Sequence, residues 1–431
     1  MNKRNKGLRI GNYCITPLGL ATLCVLILAI AAAIIFIFVK PFDGASGKPE
    51  ATATPAPPAA AETAVPTVAP TMAPTATPAP RRATIRSLGE IAIQDKLLEA
   101  ARTEDDSYDF GEMFSMIAAV AGNADYTVAD VEGSLGGTTA ASGASGSMIT
   151  PPSLINALRS SGVDMLTLAN DHALDGSLAD LNAAMANISA AGMDYIGAAA
   201  SSEEKSTPKI VNINGINVGF VAYTETLNAS DAITADPAMQ YSINLMSTAD
   251  AAADIQACRN AGADVVIAYV SWGKMFERET TSSQLRIAKT LVGAGVDVII
   301  GYNPHVIQPA YWLELENENG GVNRTLCICS LGNFLSNSRE QYTDSGVIFE
   351  FTIQEKTDRS GFEIVDPKYI PTYVWSADLE DSSSEYRVVS AGEWLNEAPE
   401  GMNYAKHSRM KEVWAEAQSI LGSEIASVAA N

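Results

Sequence analysis

Polar side chains able to bind metals or transfer protons follow five apolar, strand-like runs of this sequence. A buried parallel strand that ends on polar residues is typical of an active site in an α/β protein. Loops at the carboxyl ends of such strands converge, so we expect these groups to line one crevice. The side chains concerned are Glu90, Asp130, Glu132, Asn170, Asp171, His172, Ser271, Trp272, Asn303 and His305.

Strand-like and helix-like segments alternate along the chain after Arg82 and would position this crevice. The run "ADVVIAYVSWG" predicts a strand, "SQLRIAKTLVGAG" the next helix and "VDVIIGYNPH" the next strand. Such alternation indicates βαβ units around a sheet that is covered on both faces. The later runs "RTLCICSLGNFLSNS" and "GVIFEFTI" predict antiparallel strands. The predicted fold class is α/β (α+β), with two packed mixed β-sheets flanked by helices.

Six motifs occur in a fixed order between about Ile85 and Ile353: "SLGEIAIQDKLLEAA", "NADYTVADVEG", "LTLANDHALDGS", "VSWGKMFE", "GYNPHVIQP" and "SLGNFLSN". In this order they resemble the motifs of the CapA-type capsule-synthesis family, the poly-gamma-glutamate biosynthesis proteins. That family shares the calcineurin-like metallophosphoesterase fold. The resemblance therefore implies a four-layer fold with a two-metal site, in which paired cations activate water and polarise a phosphoryl or similar oxygen.

The resemblance also implies a role for each matching position. It assigns catalysis to His172 and Asp171, with His172 as the general acid, oriented by Asp175 or a neighbouring acid. Gln94, Ser271 and Asn303 stand where the family has histidine. The metal ligands that it implies are Glu90, Gln94, Asp130, Glu132, Asp171, Asn303 and His305.

Two interpretations of the altered positions remain open from the sequence. In one, the exchange of imidazole for oxygen donors makes a site for a hard divalent cation such as Mg²⁺, Mn²⁺ or Ca²⁺. In the other, the site has decayed and the fold serves as a non-catalytic scaffold. Ser271 favours the second interpretation, because a neutral hydroxyl replaces a strong ligand.

The amino-terminal region predicts a membrane anchor. Residues 1–14 form a basic tail, and a charge-free apolar run covers 15–39, long enough for a membrane helix of ~20 residues. The apolar core of a cleaved signal peptide, the alternative, would measure only ~7–15 residues. The charge bias places the tail in the cytoplasm and the chain beyond Lys40 outside the cell. Residues 43–82, rich in Pro, Ala and Thr, predict an extended extracellular stalk.

The rest of the chain is predicted to form a CapA-like domain at 83–375 and a carboxyl-terminal loop and helix at 376–431 that packs on it. Beyond residue 42 lie 23 of the 28 basic residues and all 50 acidic residues, a formal charge of −27. Such an acidic surface disfavours nucleic acid as a partner. The five cysteines form no evident disulfide framework or metal-binding pattern.

These observations predict a membrane-anchored, CapA-like protein acting in synthesis, export or attachment of a cell-surface polymer, with a degenerate or oxygen-rich metal site. The expected partners are the cell membrane, polymer synthase or export subunits, and the polymer itself. One alternative is a non-catalytic module that binds or assembles envelope polymer. A second is an active metal-dependent phosphoesterase or hydrolase on such polymers.

Overall fold

The computed structural model describes two units of the chain, Met1–Thr75 and Ala76–Asn431. The described residues are 8–10, 13–15, 79–136, 141–142, 147–228, 236, 239–247, 249–316, 320–378, 384–422 and 425–427. Within these ranges, no helix has both the length and the apolar character needed to cross a membrane. The predicted membrane helix at 15–39 lies outside the described residues except for Ile15, which ends a short strand. The predicted stalk at 43–82 likewise lies outside them up to residue 78.

Strands dominate the described structure. In chain order they are β1 (Leu8–Ile10), β2 (Tyr13–Ile15), β3 (Arg82–Ala92), β4 (Tyr126–Glu132), β5 (Ser134–Leu135), β6 (Ala141–Ser142), β7 (Met148–Thr150), β8 (Met165–Thr167), β9 (Asp194–Ile196), β10 (Lys209–Ile213), β11 (Ile216–Thr224), β12 (Val265–Ser271), β13 (Val298–Tyr302), β14 (Ala310–Glu316), β15 (Val322–Ile328), β16 (Asn333–Ser336), β17 (Ser345–Glu355), β18 (Phe362–Asp378), β19 (Ser384–Ser390) and β20 (Ala426–Ser427).

Helices separate many of these strands. In the same order they are α1 (Asp95–Ala101), α2 (Gly111–Phe114), α3 (Ala118–Ala121), α4 (Ser153–Ser160), α5 (Leu178–Ala190), α6 (Ser202–Lys205), α7 (Ala251–Asn260), α8 (Ser282–Gly293) and α9 (Tyr404–Leu421). Local sequence explains their starts. Thr281 and Gln284 form a reciprocal capping box at α8, and Ser177 and Asn403 cap α5 and α9 with their side chains.

The second unit contains a three-stranded sheet, β5-β7-β6, and two large mixed sheets. The larger runs β19-β18-β17-β3-β4-β8-β9, with β16 also paired to β3 and β20 to β18. Its strands β3, β4, β8 and β9 are parallel, whereas β17, β18 and β19 continue it in antiparallel fashion. The smaller sheet runs β10-β11-β12-β13-β15-β14, with parallel strands between two antiparallel edges.

Three apolar clusters hold the layers together. Alternate residues of both sheets, such as Ile85 and Ile267, share one buried cluster, so the sheets pack face to face. The outer face of the larger sheet packs on α1, α2, α4 and α5, and Leu158 of α4 is fully buried there. The outer face of the smaller sheet packs on α7 and α8, through Ile255 and Leu291. The predicted mixed α/β fold is confirmed, and its layers are helix, sheet, sheet, helix.

The carboxyl-terminal segment differs from the sequence prediction. Residues 384–390 fall where a loop and a helix were predicted, yet they form β19 and complete the larger sheet. The polar start of this segment hides the strand in the sequence. Its burial comes from Tyr386, Val388 and Val389, which are at most 3% exposed. The helix α9 forms as predicted, and it packs on β18 through Met410 and Val413.

A candidate cation site at the carboxyl ends of the strands

The carboxyl ends of neighbouring strands bring the predicted acidic residues together. In the register of the larger sheet, Glu90 of β3 lies beside Asp130 of β4, which in turn lies beside Thr167 of β8. Glu132 follows two residues later in β4, beside Ala92. Because residues two apart in a strand point to the same face, Asp130 and Glu132 extend towards one side of the sheet.

The first group of candidate ligands consists of Glu90, Glu132 and His305. Their ligand atoms all lie within 4.8 Å of one another. His305 Nε2 lies 3.6 Å from Glu132 Oε1, and His305 Nδ1 pairs with Glu90 Oε1. Asn333 Oδ1 lies 3.2 Å from the same Nδ1 atom. The imidazole is thus held from both sides.

The second group consists of Glu132, Asp171 and His172, again with ligand atoms within 4.8 Å of one another. His172 Nε2 lies 3.8 Å from Asp171 Oδ2, and His172 Nδ1 lies 2.5 Å from Asp175 Oδ2. A carboxylate behind the outer nitrogen of a histidine fixes the ring orientation, as it does for histidines that bind metals. Glu132 belongs to both groups and therefore lies between the two histidines.

Two buried carboxylate oxygens in this crevice, Asp130 Oδ2 and Glu132 Oε2, accept no hydrogen bond from any part of the chain that the structure describes. Asp130 and Glu132 are only 1% and 2% exposed. Leaving such atoms unpaired costs free energy, so native proteins seldom do so without a reason. Buried carboxylate oxygens with free lone pairs suit a divalent cation such as Mg²⁺ or Mn²⁺. A nearby imidazole can also bind such a cation once it has lost its proton.

Burial dominates the acid–base properties of the carboxylates. Desolvation raises the pKa of Glu132 to about 8, although His305 opposes it, and raises the pKa of Asp130 well above its usual range. Asp171 shifts in the same direction for the same reason. Without a cation, Glu132 therefore favours its protonated form at neutral pH, and burial shifts Asp130 in the same direction.

The histidines shift for a different reason. Burial alone would lower the pKa of His172, but the hydrogen bond to Asp175 and the charge of Asp171 raise it to about 9. Burial also opposes the charged form of His305, yet Glu90 and Glu132 raise its pKa well above the usual value. The nearby carboxylates thus favour the charged form of both histidines, and a metal ion bound by His305 would have to displace its proton.

Asn303 and Gln94, two further predicted ligands, have hydrogen bonds of their own. The backbone N–H of Asn303 donates to Glu90 Oε2 at 2.7 Å, and its side-chain amide donates to the carbonyl oxygens of Trp272 and Gly273. Gln94 precedes α1, and its carbonyl oxygen accepts from the N–H groups of the first helical turn.

The loop after β13 has an unusual backbone. Asn303 and His305 both adopt positive φ angles, 88° and 59°, a region where Asn and His are the tolerated larger residues. Just before them, Gly301 approaches β15 so closely that a Cβ atom would collide with the carbonyl oxygen of Cys329. Tyr302 is buried between the sheets and donates to the carbonyl oxygen of Leu88. Its side chain therefore does not fill the crevice.

A loop after β12 covers one side of the site. Phe276, itself at φ 64°, donates its N–H to the carbonyl oxygen of Pro304, and its ring centroid lies 5.8 Å from that of His305. Although apolar, Phe276 is 43% exposed. Ser271 ends β12 and is buried, with its carbonyl oxygen accepting from the N–H of Glu225.

The sequence does not indicate the supporting role of three residues that hold the site in place. Asn170 accepts from the N–H groups of Gly133 and His172 and donates to the carbonyl oxygen of Val131, so it joins two ligand loops. Asn333 contacts His305, and the Thr167 hydroxyl donates to Asp130. The motifs contain Asn170 and Asn333, but their sequence gives no sign of a supporting role.

Comparisons with known proteins place this site in a family. A family model described as "Bacterial capsule synthesis protein PGA_cap" matches residues 84–338. The capsule biosynthesis protein CapA of Bacillus anthracis is 24% identical over 204 residues, which cover 47% of this chain and 47% of that protein. The PGA biosynthesis protein CapA of Bacillus subtilis (strain 168) is 24% identical over 219 residues, covering 49% and 52%. The chain spans about half the length of these curated relatives.

Among solved structures, the calcineurin-like phosphoesterase YfkN from Bacillus subtilis aligns with 79% of this chain and 98% of its own. The identity is 13% and the TM-score is 0.37, too low to support an argument about fold or function. The family match rests on more than half of the chain and includes every residue of both ligand groups. This confirms the resemblance seen in the sequence: the chain belongs to the bacterial capsule synthesis protein PGA_cap family.

Proposed function

We propose that this protein acts in the synthesis, export or attachment of a capsule-type surface polymer and that its crevice binds a divalent cation, Mg²⁺, Mn²⁺ or Ca²⁺. The observation that carries the cation proposal is the position of Glu132, which is shared by two histidine-containing groups and keeps one buried oxygen unpaired. The family match and the names of the two relatives support the polymer.

In this proposal, some residues of the crevice bind the cation and another transfers a proton. Glu90, Glu132 and His305 hold one side of the cation site, and Asp171 completes the other side. A bound cation would supply Lewis acidity towards an oxygen of the polymer or its precursor. His172, oriented by Asp175 and only partly buried, holds or releases a proton at Nε2. This arrangement suits hydrolysis or transfer at an envelope polymer.

A second candidate function is a non-catalytic module that binds or assembles the polymer. The observation in its favour is that Ser271 and Asn303 replace strong ligands, while the Asn303 amide is engaged with backbone carbonyl groups. In addition, His305 already balances Glu90 without a metal ion. Under this proposal a cation, if bound, would bridge acidic groups of the polymer to the crevice and would catalyse nothing.

The setting of the domain is part of the proposal. We propose that residues 1–14 face the cytoplasm, that 15–39 cross the cell membrane once and that 43–82 form a stalk. The acidic domain would then face outwards, where polymer synthase or export subunits are its proposed partners. The basic tail and the long charge-free run of the sequence support this orientation.

Measuring Mn²⁺ binding by the purified chain tests the proposal that the crevice holds a cation. We expect the wild-type chain to bind close to stoichiometric Mn²⁺ in equilibrium dialysis, and Glu132→Gln to lose this binding. Asp358→Asn is the matched control, since Asp358 lies in the turn between β17 and β18, beyond the amino end of β3. Mn²⁺ binding that is absent from the wild type, or equal in Glu132→Gln, would contradict the proposal.

The amount of surface polymer made by the bacterium that carries the gene tests the proposed role in polymer synthesis, export or attachment. We expect deletion to reduce the amount of polymer, and the wild-type chain or Asp358→Asn to restore it. Failure of Glu132→Gln to restore the polymer would support a cation-dependent activity, whereas full restoration would favour the assembly module. An unchanged amount of polymer after deletion would refute the proposed function itself.

A further inference from the structure

A cavity of about 330 Å³ lies away from the cation site, between α6, β11 and α7. It opens beside the carboxyl end of β9, at the edge where the two sheets approach each other. None of its lining residues belongs to either ligand group. Its volume falls within the range of small-molecule sites in proteins, at the lower end.

Lys205 supplies the distinctive charge of this cavity. Its ammonium group donates to the side-chain oxygen of Asn244, but it forms no ion pair within the described part of the chain. Burial lowers the pKa of Lys205, with Asp254 only partly opposing that shift. An ammonium group that is withdrawn from water and has no carboxylate in contact is costly.

The acidic groups around the cavity have other contacts. Glu204 accepts from the hydroxyl of Tyr195 and from the N–H of Ala200. Asp254 accepts from the hydroxyl of Tyr223 at 3.0 Å. In a region of the chain where acidic residues greatly outnumber basic ones, Lys205 therefore has no carboxylate partner among the described residues, although carboxylates lie nearby.

Lys209 provides an internal comparison. It lines the same cavity and has the same type of side chain, but its ammonium group pairs with Asp194. The difference shows that the fold can pair a lysine here. The unpaired state of Lys205 is thus particular to its position and not a property of the whole surface.

Apolar side chains form part of the wall of the cavity. Ile196, Phe220, Ala222 and Cys258 line it and are each at most 4% exposed. A ligand that fits this wall would bury apolar surface at roughly 25 cal/mol per Å² while placing one charged group on Lys205. The cavity thus combines one cationic group with a preformed apolar surface.

We propose that this cavity is a second ligand site, which binds a small organic anion through a carboxylate or phosphate on Lys205 and an apolar body against Phe220 and Ile196. A compact ammonium group recognises either oxyanion as a point charge. The site is independent of the cation crevice and of the proposed polymer function.

Ligand-observed ¹⁹F NMR on the chelator-treated full chain tests this site, because chelation removes the cation crevice as a competing anion site. The probes are 4-fluorobenzoate and 4-fluorophenyl phosphate, with 4-fluorobenzamide as the uncharged match. We expect at least one anion to bind the wild type ten times more tightly than the amide, and the stronger of the two identifies the head group. If neither anion binds better than the amide, the proposal is overturned.

Three variants assign the binding to Lys205. We expect Lys205→Met to weaken binding of the anion at least tenfold, whereas Lys205→Arg, which keeps the charge, and Lys209→Met stay within about threefold of the wild type. The thermal unfolding midpoint of Lys205→Met should equal or exceed that of the wild type, since an unpaired charge is removed. Unchanged anion binding in Lys205→Met, or equal losses in Lys205→Met and Lys209→Met, would overturn the assignment.

Discussion

Two buried glutamates of the larger sheet, Glu350 and Glu132, differ in the cations around them. Glu350 is 3% exposed and contacts Arg86 Nε at 2.5 Å and Lys368 Nζ at 2.6 Å. Glu132 is 2% exposed, and within the described structure the cationic group nearest to it is His305, 3.6 Å away. Arg86 and Glu90 lie in the same strand, β3, so the two environments are only four residues apart.

The two glutamates differ in whether the positive charge beside them is permanent or can be replaced by a metal ion. A guanidinium group does not lose its proton in a protein, so Arg86 neutralises Glu350 under all ordinary conditions. An imidazole can lose its proton and become a metal ligand, so the charge beside Glu132 can be replaced by a cation. Burial alone therefore does not mark a functional carboxylate; the type of its partner does.

The largest expected effect is the loss of cation binding in Glu132→Gln. Because Glu132 belongs to both ligand groups, its replacement should weaken Mn²⁺ binding more than a hundredfold, as measured by titration calorimetry. Glu350→Gln should leave Mn²⁺ binding unchanged but lower the free energy of unfolding by about 3 kcal/mol, since it leaves buried Arg86 without its carboxylate. Equal losses of Mn²⁺ binding in both variants would remove the distinction between the two environments.

The second prediction concerns pH. The pKa of Glu132 is about 8 in the folded, cation-free chain and near 4.5 when unfolded, so the folded chain binds more protons between these values. The unfolding free energy without a cation should therefore fall as the pH rises from about 4.5 to about 8. His172, with a pKa of about 9 against 6.5, adds to the fall between pH 6.5 and 9.

The same protons compete with the cation. Below pH 8, Mn²⁺ affinity should decrease by up to about tenfold per pH unit, because Glu132 must lose its proton to bind the ion. Calorimetry at several pH values, with chemical unfolding of the chelated chain alongside, measures both trends. A Mn²⁺ affinity that is constant between pH 6 and 8 would contradict this prediction.

A smaller effect is expected at Asp175, which contacts His172 Nδ1 at 2.5 Å. Asp175→Asn should leave Mn²⁺ binding close to that of the wild type, because Asp175 orients the proton-transferring His172 and not one of the four residues proposed to hold the cation. It should, however, lower the pKa of His172, which NMR titration of the imidazole measures directly. Asp180→Asn serves as the control, because Asp180 accepts from the Ser177 hydroxyl and contacts no histidine within the described structure. A pKa that does not move would exclude the orienting role.

The smallest effect is expected at Phe276. Since its side chain is 43% exposed, Phe276→Ala should change the free energy of unfolding by less than about 1 kcal/mol. The loss of its ring should nevertheless give water access to His305, visible as faster modification of that histidine by diethyl pyrocarbonate. Unchanged modification would show that the loop after β12 does not shield the site.

Short, β-branched runs of the sequence mark the strands, and the candidate ligands lie near the carboxyl ends of those strands. Glu132 and His305 could be placed at strand ends from short runs alone, and the order of the motifs identified the family. The contact of His305 with Glu90 and Asn333 could not be predicted, since it depends on tertiary pairing between distant strands.

The sequence alone could not predict the contacts of Gln94 or the cavity beside Lys205. Gln94 was expected among the ligands because it stands where the family has histidine; in the structure a helix begins directly after it and its carbonyl group accepts the first helical hydrogen bonds. The segment that contains Lys205 reads as a polar surface loop, and only packing against β11 and α7 makes a cavity there. Tertiary packing decides both cases.

The left-handed backbone of Asn303 and His305 has a consequence for how this site can evolve. Those φ angles exclude β-branched residues but accept asparagine, aspartate, histidine and glycine. Three of these four carry a nitrogen or oxygen donor. Single substitutions at these positions can therefore exchange one class of donor for another while the loop keeps its shape. Ion preference can change across relatives faster than the fold that supports it.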